Sequence, residues 1–562
     1  MSDETKMAGS NAAADDVNNE HQHASQQRTE KRWTPNKERK VRSKKSYDKA
    51  RIEKMMADDA PAYNGELDPR KKDQAGKPIS KRASAARAAD ESEVGNRYGR
   101  TDEASDFRSR YNPCNASPAR MAALAVTQEV RKRNAYAQSL IETMIDSSRL
   151  SAQDRAFATL LVLGVVSTWG TLDDIINRCL ENPRDIKPDV RDAMRISTYE
   201  IFMLKKAPHA ALDQGVELVR AVAPSAAGLG NAVLHRILAS QPDFPFGDPK
   251  TDIEALARYY AFPTWLAHLF VDDLGAHDAS ALMAAAAEPA PVYIAVNALR
   301  ASDDEIIEAF AALDCVLEPA ESGGIVPLGC YRVDKPRVIG DGRIRNLFTE
   351  GKIIASDASS QAIVYCALEN GYPETFLEIG AGRGTKTILL QSASSRLYGR
   401  QMGLTCMDSR DFKEAILADR AKAYGARVSE TITGNAMRLE RHVGERTFDR
   451  IFIDAPCTGL GTLRRHQEIR WRIAPEAVEN LSAKGLAMLK SAASHVSVGG
   501  DIVYSTCTVT RGENIEVAKR FLESEEGQSF KLGAIGGKAY FASLASPGAP
   551  DAHFAVRFVK QA

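Results

Sequence analysis

The 562-residue chain contains no uninterrupted apolar run of about 18 residues, the length a membrane-spanning helix requires, so none is expected. Its N-terminus is polar and lacks the apolar segment of a secretory signal, which argues against export and for the cytoplasm. Aromatic residues make up only 7%, with four tryptophans. Cysteine is sparse in pattern as well as in number: the eight residues at 114, 179, 315, 330, 366, 406, 457 and 507 form no C-x-x-C pair. That pattern argues against a zinc site and against a disulfide framework, and no metal is expected. Net charge is also missing, with 74 basic and 74 acidic side chains. An overall field that would draw in phosphate is therefore absent, and any RNA surface has to be local.

What is present is unevenly distributed. Residues 1–117 carry 24 Lys and Arg against 20 Asp and Glu, with little apolar periodicity, and read as a disordered, basic, low-complexity tail. Within it, Arg28 to Lys54 interleaves twelve basic residues with Trp33 and Tyr47. That stretch reads equally as a non-specific RNA tether or as a solvated tail. From 118 to 245 the apolar residues recur at helical spacing, as in Phe157–Val166 and in Leu172, Ile175 and Ile176, with Pro183, Pro188 and Pro208 as breaks. An all-α module is expected there. Its His209 and His235 have no partner cluster and read as structural.

Residues 246–350 read as a small α+β connector, with helices at Ile253–Tyr260, Thr264–Leu274 and Glu305–Leu313 and a strand at Val292–Leu299. From 351 to 562 short apolar strands alternate with helices: Thr375–Ile379, Leu404–Met407, Phe448–Ile453 and Asp501–Ser505. This is the rhythm of a doubly wound parallel sheet, an α/β Rossmann-like fold whose ligand crevice lies at the carboxyl ends of the strands.

Chemistry concentrates at those ends. Gly380-Ala381-Gly382-Arg383-Gly384-Thr385-Lys386 follows the first strand and opens a helix, where glycines admit a ligand and free helix amides face it. Threonine at 385 breaks the dinucleotide pattern of three glycines and disfavours nicotinamide. Asp408 ends the next strand, where a carboxylate accepts both hydroxyls of a ribose. Together they fit a nucleoside-bearing cofactor such as S-adenosyl-L-methionine.

Asp454-Ala-Pro-Cys457 and Thr506-Cys507-Thr508 end two further strands. Carbon 5 of cytosine is a poor nucleophile until a thiolate adds at carbon 6, after which it can attack a methyl sulfonium. A carboxylate can hold the proton that offsets charge on the adduct, and a second thiol can assist release. Chemistry alone does not rank the two cysteines. The following stretch contains Arg464, Arg465 and Trp471, residue types that bind phosphate and stack on an unpaired base, and it is read as an RNA-binding loop.

With these residues in hand, the chain from about 118 onward resembles the Nol1/Nop2/Sun family of RNA cytosine-5 methyltransferases. Its particular likeness is to the bacterial Sun/RsmB-type branch, which acts on 16S ribosomal RNA and carries a NusB-like helical domain in front. The likeness rests on Asp454 through Cys457, Arg464-Arg465-His466, Trp471, Thr506-Cys507-Thr508 and Glu513-Asn514. It rests also on Asp357–Gln361, Asp154-Arg155-Ala156, Pro208-His209-Ala210 and Gly230–Leu234. The resemblance implies Cys507 as nucleophile, Cys457 in product release and Asp454 as the catalytic carboxylate. It also implies that Gly380 to Lys386, Asp408, Asn435 and Asp454 line the S-adenosyl-L-methionine pocket, and that RNA, first of all 16S rRNA, is the partner; a monomer is the default expectation.

Three features depart from the family pattern. Gly380-Ala-Gly-Arg383-Gly-Thr385-Lys386 replaces Cys-Ala-Ala-Pro-Gly-Gly-Lys, Asn435 replaces an aspartate and Ala295 replaces an arginine. Alternative readings are the same chemistry on transfer RNA or another RNA, and a non-catalytic RNA-binding or ribosome-assembly factor.

Overall fold

In a computed structural model, the described residues are 107–184, 186–205 and 207–562, so the basic stretch Arg28–Lys54 lies outside them. The segment 107–117, expected to belong to the tail, is instead part of the helical module. Phe107 is buried, the Asn112 amide nitrogens donate to the Ala221 carbonyl, and the Tyr111 hydroxyl donates to Gln128. Local composition hides this because the anchors lie far along the chain.

Six longer helices build that module: Pro118–Arg133, Ala152–Ser167, Trp169–Arg178, Pro188–Phe202, Pro208–Val222 and Ala227–Ser240. Their starts follow from local chemistry. Ser117 and Ser151 cap two of them, and proline occupies the first turn of three. The core is aliphatic, but Arg195 is buried inside it, stacked over Trp169 at 3.9 Å and paired to Asp173 and Asp192 at 2.6 Å each. A buried guanidinium is tolerated because every face of it finds carboxylate or ring. His209 and His235 are exposed.

The connector splits in two. Helices Ile253–Tyr260, Thr264–Leu274 and Ala276–Ala285 form one cluster with Leu460, Leu463 and Val509 of the next domain. Beyond them lies an antiparallel sheet in the order β2-β3-β1-β4, with β1 Tyr293–Val296, β2 Leu317–Pro319, β3 Cys330–Val333 and β4 Ile353–Ala355. Since β4 pairs with β1, the connector's sheet continues past the expected boundary at 350. Ala295 points into a buried cluster rather than to a surface.

The C-terminal sheet runs β10-β12-β9-β8-β5-β6-β7, with β11 paired to β12. Its strands are β5 Thr375–Ile379, β6 Gly403–Asp408, β7 Glu430–Thr433, β8 Phe448–Asp454, β9 Val496–Thr506, β10 Phe530–Gly533, β11 Phe541–Ala542 and β12 Phe554–Lys560. Strands β9, β8, β5, β6 and β7 are parallel, as the strand–helix rhythm predicts, while β12 and β10 are antiparallel. The chain leaves β5 for β6 and β7 on one side and returns to β8 and β9 on the other. The crevice at that reversal is where an open parallel sheet binds its ligand.

No single described helix is long and apolar enough to cross a membrane, although the bent pair Ala152–Ser167 and Trp169–Arg178 passes by length and composition.

Candidate active site

The sheet order explains why residues 74 positions apart meet. Gly380 leaves β5 at φ +89°, and a Cβ there would stand 2.4 Å from the carbonyl oxygen of Asp454, at the end of neighbouring β8. Glycine at 380 is thus required by a close backbone approach as well as by its torsion. The turn is held by the amides of Gly380 and Ala381, which donate to the Met407 carbonyl at 2.8 and 3.1 Å. Gly384 at φ +82° then starts the helix Thr385–Tyr398.

Asp408, at the end of β6, accepts the Gly382 amide at 2.9 Å and the Lys413 ammonium at 3.2 Å. A recess between β6 and β7 is lined by Ala381, Gly382, Met407, Asp408 and Thr433. Asn435 sits at its rim, exposed, with its side-chain oxygen capping the Met437 amide at 3.0 Å. Its neighbour Gly434 donates to the Asp408 carbonyl at 2.9 Å, which keeps 435 beside the acidic strand end. Arg383 is exposed, and its carbonyl accepts from Arg420 at 2.9 Å. A side-chain-free turn, a helix N-terminus and an acid at the next strand end suit a charged nucleoside.

On the other side of the switch point, the Lys386 ammonium donates to Asp454 Oδ2 at 2.7 Å. The ion pair keeps Lys386 protonated against its burial. Cys457 and Cys507 bring their sulfurs to 3.2 Å, and the Cys507 amide donates to the Cys457 sulfur at 3.3 Å. The hydrogen bond from Cys457 pulls the Cys507 thiol below its ordinary range, with help from the Lys386 charge, while Cys457 is pushed well above. The Cys507 amide pulls the other way, lowering the Cys457 thiol, so the two sulfurs share one ionisable site.

The three residues expected to meet RNA turn toward the protein. Arg464 is buried, paired to Asp551 at 3.2 Å and donating to the Pro550 carbonyl at 2.9 Å. Arg465 donates to Asp551 at 2.6 Å and to Asp357 at 2.9 Å. The Trp471 indole nitrogen donates to the Ser167 carbonyl at 2.9 Å, and its ring fills the groove left by Gly170, where any Cβ would stand 2.3 Å from it. Around it, Glu468 accepts the Ala137 amide at 2.9 Å and Arg472 donates to the Ala135 carbonyl at 2.6 Å. Arg470 is buried on the carbonyls of Ala261 and Ala286 at 3.2 and 3.0 Å. This stretch ties the catalytic loop to both preceding modules. Its charge suggests solvent or phosphate only while its tertiary carboxylates and carbonyls are unknown.

Two groups of the site carry no chemical role in the sequence: Glu513, present there only within the Glu513-Asn514 motif, and His553. Glu513, buried beneath both cysteines, accepts from Thr458, Thr508 and Thr510. His553 is buried near Lys386, Asp357 and Asp454, and burial pushes it down to about 4, so its ring is neutral. The motif marks the position of Glu513, while its contacts with both thiol loops come only from the fold. Nothing local marks His553. Among the described residues no group of three or more His, Cys, Asp or Glu is arranged to hold a metal ion.

A glycine turn at the reversal of this strand order, with a helical module in front, defines a Rossmann-like methyltransferase with an accessory helical domain. Residues 365–538 match the family described as 16S rRNA methyltransferase RsmB/F, and residues 117–239 match the NusB family. The "Probable ribosomal RNA small subunit methyltransferase B" of Synechocystis sp. is 30% identical over 415 residues, 73% of this chain and 90% of that relative. The Thermus thermophilus "Ribosomal RNA small subunit methyltransferase B" is 29% identical over 72% of this chain and 88% of its own length. A crystal structure of the protein PH0851 shares the fold with a TM-score of 0.62 at 20% identity, covering 80% of this chain and 100% of that one.

The chain belongs to the RsmB/F methyltransferase family. It is an RNA methyltransferase with a NusB-type helical domain, and S-adenosyl-L-methionine is its cofactor.

Proposed function

We propose that this protein methylates carbon 5 of a cytosine in 16S ribosomal RNA through a covalent adduct to Cys507. The observation that carries the reading is the thiol pair, with sulfurs 3.2 Å apart beside the Lys386–Asp454 ion pair. S-adenosyl-L-methionine, when bound, supplies the methyl group as an electrophilic sulfonium. Gly380 to Lys386, Asp408 and Asn435, at the carboxyl ends of β5, β6 and β7, would hold it. The Cys507 thiolate adds to carbon 6 of the extruded base, forming the S–C6 bond, while Asp454 supports the proton taken up at ring nitrogen 3. Carbon 5 then takes the methyl group, the sulfonium S–CH3 bond breaking so that the donor would leave as the neutral thioether. Ring nitrogen 3 gives its proton back to Asp454 as the adduct collapses. Loss of the carbon 5 proton to a base re-forms the ring double bond and expels Cys507 as thiolate, with the Cys457 S–H placed to return a proton to it.

Ribosomal RNA of the small subunit is the substrate supported by the relatives named for it. Since Arg464, Arg465 and Trp471 are held by protein groups, RNA contacts from that loop fall to His466 and the exposed edge of Arg465.

The experiment is a denaturing gel of protein incubated with 16S rRNA transcript and S-adenosyl-L-methionine. Cys457→Ala should accumulate a covalent adduct and Cys507→Ala should not. The reverse pattern would exchange the two roles. No adduct together with no methyl transfer would favour a binding factor, and methylation of transfer RNA alone would overturn the substrate.

A further inference from the structure

Glu513 and Asn514 have no part in the chemistry above, yet they grip both thiol loops at the residues flanking the sulfurs. Glu513 is 1% exposed. One of its oxygens accepts the Thr458 amide at 2.7 Å. The other accepts the hydroxyls of Thr458 and Thr510 at 2.7 Å each and that of Thr508 at 3.2 Å. Thr458 follows Cys457 and Thr508 follows Cys507, and their hydroxyls also meet at 2.7 Å. Asn514 brackets Cys507, accepting from the Thr506 hydroxyl at 2.6 Å and donating to the Thr508 carbonyl at 3.0 Å.

This carboxylate spans the loops that follow β8 and β9, whose backbones also meet where the Ala455 amide donates to the Ser505 carbonyl and the Gly461 amide to the Cys507 carbonyl, at 2.9 Å each. Gly459, at φ +71° immediately after Thr458, turns the Cys457 loop sharply, so the side-chain bonds to Thr458 fix the residue between the sulfur and that turn. An acceptor-only carboxylate with four donors suits that task, because charge-assisted hydrogen bonds are short and directional. Its charge also faces both sulfurs and opposes ionisation of each, against the pull of Lys386.

We infer that Glu513 is a positioning residue that holds the Cys457 thiol against Cys507, so that release of the methylated base keeps pace with adduct formation. The inference rests on the assignment of Cys507 as nucleophile and Cys457 to release. Removing the clamp should leave addition at Cys507 possible and slow the release.

The full chain, as parent, Cys457→Ala, Glu513→Ala, Glu513→Gln and Thr458→Val, is incubated with 16S rRNA transcript and S-adenosyl-L-methionine. Adduct is read on denaturing gels, and labelling of each cysteine by iodoacetamide is followed by mass spectrometry from pH 6 to 10. Glu513→Ala should accumulate adduct roughly tenfold over parent, within the roughly hundredfold that misplacing a reacting group by about an ångström can cost. Glu513→Gln, whose oxygen can keep the Thr458 amide while its NH2 donates to hydroxyl oxygens in the reverse direction, should release more than Glu513→Ala, with the pH midpoint for Cys507 labelling moved down. Thr458→Val cuts the hydroxyl link while sparing the buried carboxyl, and should accumulate adduct even where Glu513→Ala fails to fold.

If Cys457→Ala accumulates adduct while neither Thr458→Val nor a folded Glu513→Ala does, the clamp is overturned and the mechanism stands. If Cys457→Ala gives none, the mechanism fails. Glu513 is then judged on labelling alone, and an unmoved midpoint in Glu513→Gln overturns its role.

Discussion

The two halves of the crevice are built on different principles. On the β5–β6–β7 side, backbone does the work. The glycine turn, the helix start and Asp408 lie within about one strand–helix–strand unit, and Arg383 and Asn435 stand exposed at the rim. On the β8–β9 side, long-range side-chain contacts hold everything. Glu513 locks the two thiol loops together, Arg465 bridges Asp357 and Asp551, and Trp471 plugs the helical domain. A cofactor side made of backbone tolerates side-chain change, since a glycine turn keeps its shape whatever its exposed residues are. A thiol side made of tertiary bonds does not, and it couples the nucleophile loop to domains that contribute no reacting atom.

That contrast can be broken most sharply at Trp471. Trp471→Ala should remove about 3 kcal/mol of interdomain packing, the low end for a tryptophan truncation. Calorimetry should then resolve an earlier transition for the helical domain, ahead of the methyltransferase domain. A single transition at the parental temperature would mean that docking does not depend on this ring.

Glu378 tests the buried floor beneath the cofactor turn. It accepts from Thr387 at 2.6 Å, its other oxygen has no partner, and burial pushes its carboxyl up to about 7. A raised carboxyl favours the folded state while it is protonated, and that contribution is lost as pH climbs from its ordinary value through about 7. Glu378→Gln cannot ionise, so its stability relative to parent should rise between pH 5 and pH 8, by up to roughly 3 kcal/mol. Urea titrations at the two values measure it, and a difference independent of pH would refute it.

The smallest effect belongs to the rim. Arg383→Ala should change the KM for S-adenosyl-L-methionine by less than about fivefold, because an exposed charge contributes little through solvent. A much larger change would place this guanidinium on the cofactor and erase the contrast between the two sides.

The strands that position the site were legible because each is a short apolar run ending in a chemically distinctive residue. Strand β5 falls at its expected bounds, and β6, β8 and β9 differ only at their ends. Strand β7, Glu430-Thr-Ile-Thr, has one large apolar residue and no signal of its own. Strand β12 hides its role because Arg557 sits fully buried in its middle, paired to Asp501 at 2.8 Å on the neighbouring strand. The basic run after Cys457 misled for the same reason, as charge reads as surface until its partners are known.

By itself, the sequence determined the order of the modules, the glycine turn, the acids at the strand ends and the presence of two thiols. These follow from local patterns in which one residue's torsion or chemistry suffices. Only the tertiary structure decided that the thiols lie 3.2 Å apart, that Lys386 pairs with Asp454, that Glu513 joins the two loops, and that Arg464 and Trp471 face protein. The thiol pair, the Lys386–Asp454 pair and the Glu513 clamp depend on the strand order β9-β8-β5, and the Arg464 and Trp471 contacts on segments far along the chain, so local pattern cannot reveal them.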